Sequence, residues 1–432
     1  MASDNRVVII GAGVFGLSLA HQLAKEGNQN VTVMDRHVPP VPDGSSVDIS
    51  RVIRFDYTDD VYLTIAREAH QRWSQLPKFK DIFSPAPILA AMNNKTPRAW
   101  IEGVTSALRK DDLPYTRLPN ADAAKRAFPM LSGDLAVSGF SGYYNSQAGW
   151  ADAAKAIAQL RDECIESGVS FISGRAGTAI KFETNASGEI KAVRTAAGTT
   201  VESDQFVLAA GAWSPGLASM YNNTLSTAQV IAYLPLTEGE MQKYKNLPIY
   251  ANFSTGWFNF PPHEETKMLK FAVHGWGYTR KPTPEEPNVD RSNISLPPLR
   301  AAKARPNFAP PDGEERLRQG LREILPELAD REFDRLSVCW YTDTPSGDFI
   351  MDFHPDHKNL FVAGGGSGHG FKFLPVLPEY VGSAFHRTLP KHLADKWRFH
   401  TDYKDDSDAF LGDGSRGGPE RREFNAQEKA KL

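Results

Sequence analysis

Ten residues near the N-terminus, Val7-Val8-Ile9-Ile10-Gly11-Ala12-Gly13-Val14-Phe15-Gly16, have the types and spacing that most directly imply chemistry. Four β-branched residues read as a buried parallel strand and run straight into G-x-G-x-x-G. Gly11 permits a tight turn, Gly13 lets the backbone approach a pyrophosphate, and Gly16 lets the next helix pack on the strand. Val14 and Phe15 open that helix. Its first N–H groups have no intrahelical acceptor and so favour an anion. A second strand, Val31-Thr32-Val33-Met34, ends on Asp35, about 20 residues further on and placed for a ribose hydroxyl. Strand, helix, strand and terminal acid together predict a bound dinucleotide.

Other chemistry-bearing residues are scattered. Arg51 and Arg54 flank Val52-Ile53; a strand would put them on opposite faces and a helical turn on one. Phe206-Val207-Leu208-Ala209-Ala210-Gly211-Ala212-Trp213 reads as a strand ending in small residues, which would let backbone lie against a cofactor. Gly364-Gly365-Gly366-Ser367-Gly368-His369-Gly370-Phe371-Lys372 follows the strand-like Leu360-Phe361-Val362-Ala363. Taken alone, Lys270 in Lys270-Phe271-Ala272-Val273-His274 is an edge-strand lysine. Cys339 is likewise a buried strand cysteine, and Cys164 a packed small residue on a helix.

The elements that must position these residues alternate in type. Helices are expected from about Asp60 to Trp73, Ala151 to Ser167, Leu317 to Leu328 and Pro378 to Thr388, and short alternating strands over 169–202. Strand-like segments dominate 220–280, and the Pro-, Arg- and Asn-rich stretch 280–313 reads as a long surface loop. Nucleotide-binding pieces therefore lie at the start, middle and end. The expected fold is mixed α/β: a Rossmann-like domain of residues 1–85, 146–220 and 320–390, interleaved with a β-rich substrate domain of 86–145 and 221–319, and an extension over 391–432.

Several separated motifs then resemble the monomeric sarcosine oxidase family of flavoproteins, within the wider D-amino-acid-oxidase-like group. They are Gly11 to Gly16 with Asp35, Ser50-Arg51-Val52-Ile53-Arg54, Phe206 to Ser214, Val338-Cys339-Trp340-Tyr341-Thr342-Asp343-Thr344-Pro345, and Gly366 to Lys372. The resemblance implies FAD, oxidation of an amine flanking a carboxylate, and O₂ as acceptor with H₂O₂ released. It implies a thioether from Cys339 to the flavin, Lys270 on the oxygen-reducing side, and Arg54 and Lys372 on the substrate carboxylate. Arg51, His274 and Tyr341 would stand at the reacting face. Ser46, Ala210, Gly211, Trp213, Gly366, Gly368, His369, Gly370 and Phe371 would join the N-terminal glycines around the cofactor.

Phe371-Lys372-Phe373-Leu374-Pro375 is similar to the ending of fructosyl amino acid oxidases, also called amadoriases. Their sugar-binding glutamate falls four residues after the central lysine. Here that position is His274, and Arg51 stands where they have lysine, which counts against a glycated substrate. The expected substrate is a secondary or N-methyl amino acid of sarcosine, pipecolate or saccharopine type. A tailoring oxidase acting on a bulky N-methyl amine is the other alternative.

The totals agree with this reading. A net charge of -3 over 432 residues suggests neither a nucleic-acid surface nor a polybasic membrane anchor, and no metal site is expected. Two cysteines make no disulfide framework and suit a reducing compartment; the start of the chain leaves no room for a signal peptide. The final Ala430-Lys431-Leu432 resembles a peroxisomal address read by an import receptor. The polar stretch from Thr401 is expected to be mobile enough to present it.

Overall fold

The computed structural model describes residues 5–93, 99–137, 139–284, 286, 294–299, 306–404 and 410–432. Val7–Ile10 is buried at every position, as a strand flanked by strands and covered on both faces must be. It lies inside a six-stranded sheet ordered Ile350–Phe353, Leu360–Gly364, Gln205–Leu208, Val7–Ile10, Val31–Met34 and Ser170–Ile172. All neighbours are parallel except the antiparallel edge strand Ile350–Phe353. Helix Val14–Lys25 packs against helices Ala153–Glu166 and Leu377–Phe385 to cover one face. Cys164 is fully buried there, as expected of a small apolar residue.

A ten-stranded sheet forms the second body. Its order is Arg422–Glu423, Tyr278–Thr279, Leu225–Pro235, Met268–Val273, Trp257–Asn259, Ile249–Asn252, Ile88–Met92, Ser141–Asn145 and Thr116–Leu118; Arg335–Asp343 also pairs with Leu225–Pro235. One face packs on helix Pro311–Ile324, whose Leu317, Leu321 and Ile324 are fully buried. A small sheet of Arg51–Ile53, Gly149–Ala151 and Phe83–Pro85 stands beside the two.

Three expectations change. The Cys339 strand, assigned with residues 320–390 to the nucleotide-binding domain, belongs to the ten-stranded sheet. Its alternating pattern fits either sheet; partner choice is a long-range decision. The stretch 280–313 is not wholly a surface loop: Ser295 and Leu296 are buried, and Leu296 N donates to Arg280 O at 2.9 Å. Its residues 285, 287–293 and 300–305 lie outside the described ones.

The largest change concerns the C-terminal extension. It is docked rather than mobile among the described residues 410–432. Arg422–Glu423 adds a strand beside Tyr278–Thr279, and Asn425 with Glu428 forms a capping box on helix Ala426–Lys429. Phe424 is 2% exposed and Leu432 only 3%. Polar composition misled because three of the segment's few apolar residues, Phe410, Phe424 and Leu432, are buried, although Leu411 stays exposed. Residues 405–409 lie outside the described ones.

Candidate active site

Between the two sheets runs one cavity of about 2190 Å³ including its open mouth. At one end lies the glycine turn. Gly11 has φ +113°, and a Cβ there would sit 2.3 Å from Ala209 O, so only glycine lets the first strand meet the Gln205–Leu208 strand end. At Gly13 a Cβ would press on Ser46 Oγ at 3.0 Å. Ser46 Oγ accepts from Val14 N at 3.0 Å, while Gly13 itself offers no side-chain cap, so the helix N-terminus faces the cavity. Asp35 Oδ2 accepts from Ala12 N at 2.8 Å, and burial raises its carboxyl above the ordinary range. Arg36 lies 4.4 Å over the Trp213 ring, both lining this end. Ala210, Gly211, Gly366, Gly368, Gly370 and Phe371 line the same cavity, Phe15 touching the glycine loop from below.

The roof is one face of the ten-stranded sheet, assembled by period-2 alternation. Register pairs Tyr233 with Lys270, Ile231 with Ala272, Gln229 with Cys339 and Thr227 with Tyr341, so these side chains share a face. The intervening Val230, Ala232, Leu269, Phe271, Val338 and Trp340 enter the apolar core behind. Lys270, 2% exposed, places Nζ 3.0 Å from Asp48 Oδ2 and 2.7 Å from Ser50 O. Arg51 NH1 donates to the same Asp48 oxygen at 2.8 Å, and its NH2 stands 3.8 Å from Cys339 Sγ. Tyr233 OH donates to the other Asp48 oxygen at 2.7 Å.

A second cationic cluster lies at the glycine-loop end. Lys372 Nζ donates to Tyr57 OH and to His369 O, each at 2.9 Å. Tyr57 OH is 2.9 Å from His369 Nδ1, and His369 Nε2 is 2.8 Å from Gly347 O. A carbonyl can only accept, so Nε2 carries the proton and Nδ1 accepts from Tyr57. Burial brings His369 down to about 3, leaving a neutral ring at neutral pH. Burial first, then Arg54, pushes the Lys372 ammonium well below the lysine range. Arg54 and Lys372 flank the same Tyr57 ring at 5.2 and 5.3 Å, and Arg54 donates to Asp56 O. The two arginines thus diverge, as the strand option required: Arg51 to Asp48 and Cys339, Arg54 to Asp56 and Tyr57.

The docked extension completes the wall, which sequence patterning missed. Gly412 N donates to Pro345 O at 3.1 Å and Gly418 N to Ser254 O at 3.0 Å, so residues 410–418 form a strap along the body, and Ser415 on it lines the cavity. Arg416 pairs with buried Asp343 and donates to Gly275 O at 2.9 Å. Ser415 Oγ is 3.1 Å from His274 Nε2, and both N and Oγ of Ser415 donate to Asp413 Oδ1. Burial, then Arg416, holds His274 well below its usual range, so it is neutral. Burial acts upward on Asp413, but the Ser415 hydrogen bond and the Arg54 charge act against it, and its carboxyl lies below the ordinary range. Burial also keeps the Tyr341 phenol protonated by raising it far above its usual value. Asp48, three residues before Arg51, could have been found by spacing; Tyr57, Tyr233 and Asp413 had no such signal.

Residues 6–383 match the family model described as "FAD dependent oxidoreductase". The chain is 30% identical over 413 residues to an L-saccharopine oxidase of Schizosaccharomyces pombe, covering 92% of this chain and 94% of that one. It is 26% identical to a monomeric sarcosine oxidase of a Bacillus species, covering 88% and 92% respectively. The crystal structure of the deglycating fructosamine oxidase of Aspergillus fumigatus (Amadoriase II) superposes with TM-score 0.86 at 28% identity, over 98% of this chain and 95% of that chain. FAD fits the residues present: the cradle is bare backbone where a pyrophosphate must approach, with Asp35 at the ribose position.

Proposed function

The chain belongs to the FAD dependent oxidoreductase family, and from that premise we propose that it oxidises a secondary or N-alkyl amino acid of sarcosine, pipecolate or saccharopine type. The carrying observation is the Arg54 and Lys372 pair flanking Tyr57, in the cavity whose roof carries Lys270 and Cys339. When bound, FAD would supply the two-electron redox chemistry that couples oxidation of the amine to reduction of O₂ to H₂O₂.

The protein's own groups do the rest. Arg54 offers a planar fork and Lys372 a point charge, so together they orient and neutralise a carboxylate. His274 and His369 are both neutral, so they leave the carboxylate to Arg54 and Lys372. The surrounding cations favour the neutral amine, the form that can release hydride. Lys270 supplies a fixed positive charge where O₂ gains electrons. Cys339, beside Arg51, would carry the covalent link to the cofactor. The Ala430-Lys431-Leu432 ending supports delivery to a peroxisome, with release of the buried Leu432 needed before a receptor could read it.

A glycated amino acid is the second reading, and one observation favours it. His274 in place of a glutamate and Arg51 in place of a lysine count against a glycated substrate, but Asp413, held against His274 through Ser415, offers a carboxylate from the extension. A peroxide-coupled screen decides between them, using sarcosine, L-pipecolate, L-proline, saccharopine, N-methyl aromatic amino acids and fructosyl-lysine. Turnover of an unglycated secondary amine with fructosyl-lysine inert is the expected result. Activity on fructosyl-lysine alone would replace the first reading with the second.

A further inference from the structure

Asp48 has no assigned part in the chemistry above, yet it is the anion around which the roof is built. Its side chain is 1% exposed. One oxygen receives two cations, Lys270 at 3.0 Å and Arg51 at 2.8 Å. The other receives Tyr233 OH at 2.7 Å and Ile49 N at 2.8 Å. These partners come from three separate stretches: residues 49–51 at the start of the strand Arg51–Ile53, the strand Leu225–Pro235 and the strand Met268–Val273.

Two cations sharing one buried oxygen is costly unless the anion between them is fixed, because each alone would be desolvated and each repels the other. Tyr233 and the Ile49 amide fix it. Arg51 stays charged in any protein environment, so the burden of losing the anion falls on lysine. Without the carboxylate, Lys270 would be left beside a charged arginine and over the Phe260 ring at 4.6 Å, with Ser50 O as a remaining acceptor. A buried lysine in such surroundings sheds its proton.

We infer that Asp48 is the positioning residue that keeps Lys270 charged and aimed into the cavity, with Tyr233 and the Ile49 amide locking its carboxylate. The inference rests on the reading of Lys270 as the charge that assists O₂. Asp48 touches neither substrate nor oxygen; it acts through Lys270, and a purely structural role would slow all steps alike.

The test compares Asp48→Asn, Asp48→Glu, Tyr233→Phe and Lys270→Met in the flavin-loaded, full-length protein. Anaerobic reduction by an excess of the best amine is followed by mixing the reduced protein with O₂. Asp48→Asn is expected to slow the oxygen step by about 10- to 100-fold, the usual effect of losing a group that orients a reacting one. Reduction by the amine should change by less than about threefold, and Asp48→Glu should recover part of the loss. A readout independent of turnover is sulfite binding to the oxidised protein, followed by the visible spectrum. Its affinity should fall in Lys270→Met and should not rise in Asp48→Asn, whereas it would rise there if Lys270 kept its proton without the carboxylate, because an anion reports the local positive charge.

If Lys270→Met slows the oxygen step and Asp48→Asn does not, the inference is overturned while the reading of Lys270 stands. If Lys270→Met leaves the oxygen step intact, the reading itself falls. Should Asp48→Asn not accumulate as folded protein, Tyr233→Phe and Asp48→Glu carry the test. Selective slowing of the oxygen step supports positioning, and equal slowing of both steps sinks it.

Discussion

Lys270 and Lys372 are both nearly sealed from solvent, at 2% and 5% exposure, yet they are partnered differently. Lys270 bonds the Asp48 carboxylate directly; Lys372 bonds neutral acceptors, and burial and the Arg54 charge outweigh the more distant Asp413 and Asp56 carboxylates. Lys372 is therefore poised to gain an anion. A carboxylate ligand supplies the opposite charge, raises the depressed lysine and draws in a proton on binding. Below the depressed value the lysine is already charged and binding needs no uptake. Above it, affinity declines as pH rises. The dissociation constant of a simple carboxylate lacking an amine should thus increase with pH between the depressed lysine value of the free site and the higher value of the complex, read from flavin absorbance. Lys372→Met should flatten that slope and weaken binding by about 10-fold or more, the worth of a charged hydrogen bond. A slope unchanged in the variant would remove Lys372 from the carboxylate site.

At the scale of elements, the glycine loop and the strap meet around Tyr341. A Cβ on Gly368 would lie 2.4 Å from the Tyr341 ring, and φ there is +76°. Gly368→Ala should therefore cut kcat/KM sharply through displacement of Tyr341 and His274, with a loss of stability of about 1–3 kcal/mol from overpacking. The strap depends on the buried Arg416–Asp343 pair, each side chain 3% exposed. Removing one partner leaves the other unpaired in the interior, so Arg416→Ala should destabilise by about 3–5 kcal/mol in urea titrations. Ser415→Ala removes only hydrogen bonds to Asp413 and His274. It should raise KM more than it lowers the melting temperature, whereas equal effects would make the strap a brace with no part in substrate contact.

At the scale of the molecule, two sheets from interleaved stretches of chain face each other across the cofactor cavity, and the last residues close it. Arg422 pairs with both Asp312 and Glu428, tying the C-terminal helix to the start of helix Pro311–Ile324. Lys431 Nζ lies 5.5 Å over the Phe308 ring. Removing residues 421–432 should lower the melting temperature by several degrees and loosen the strap, seen as a raised KM. Limited proteolysis should cut within the tail more slowly in the intact protein than after Asn425→Ala, which removes a cap worth about 1 kcal/mol. Fast cleavage of both would contradict a docked terminus.

Local physics made much of this legible in advance. The Val7–Gly16 run and Asp35 needed only hydrophobic period, glycine sterics and helix-end electrostatics, all of which act within a few dozen residues. Arg51, Lys270, Cys339, Arg54 and Lys372 were singled out by motif resemblance, and all line one cavity. What the tertiary structure alone decided is which of them meet. Asp48 binds Lys270 from 222 positions away in sequence numbering, and Arg416 reaches Asp343 across 73. No periodicity encodes such pairings, because they follow from strand register and from where a polar tail finds a groove for three apolar side chains. For the same reason the sequence could name the residues that would handle a carboxylate and oxygen, while the Asp413 carboxylate behind Ser415 and His274 came to light only once the chain had folded back on itself.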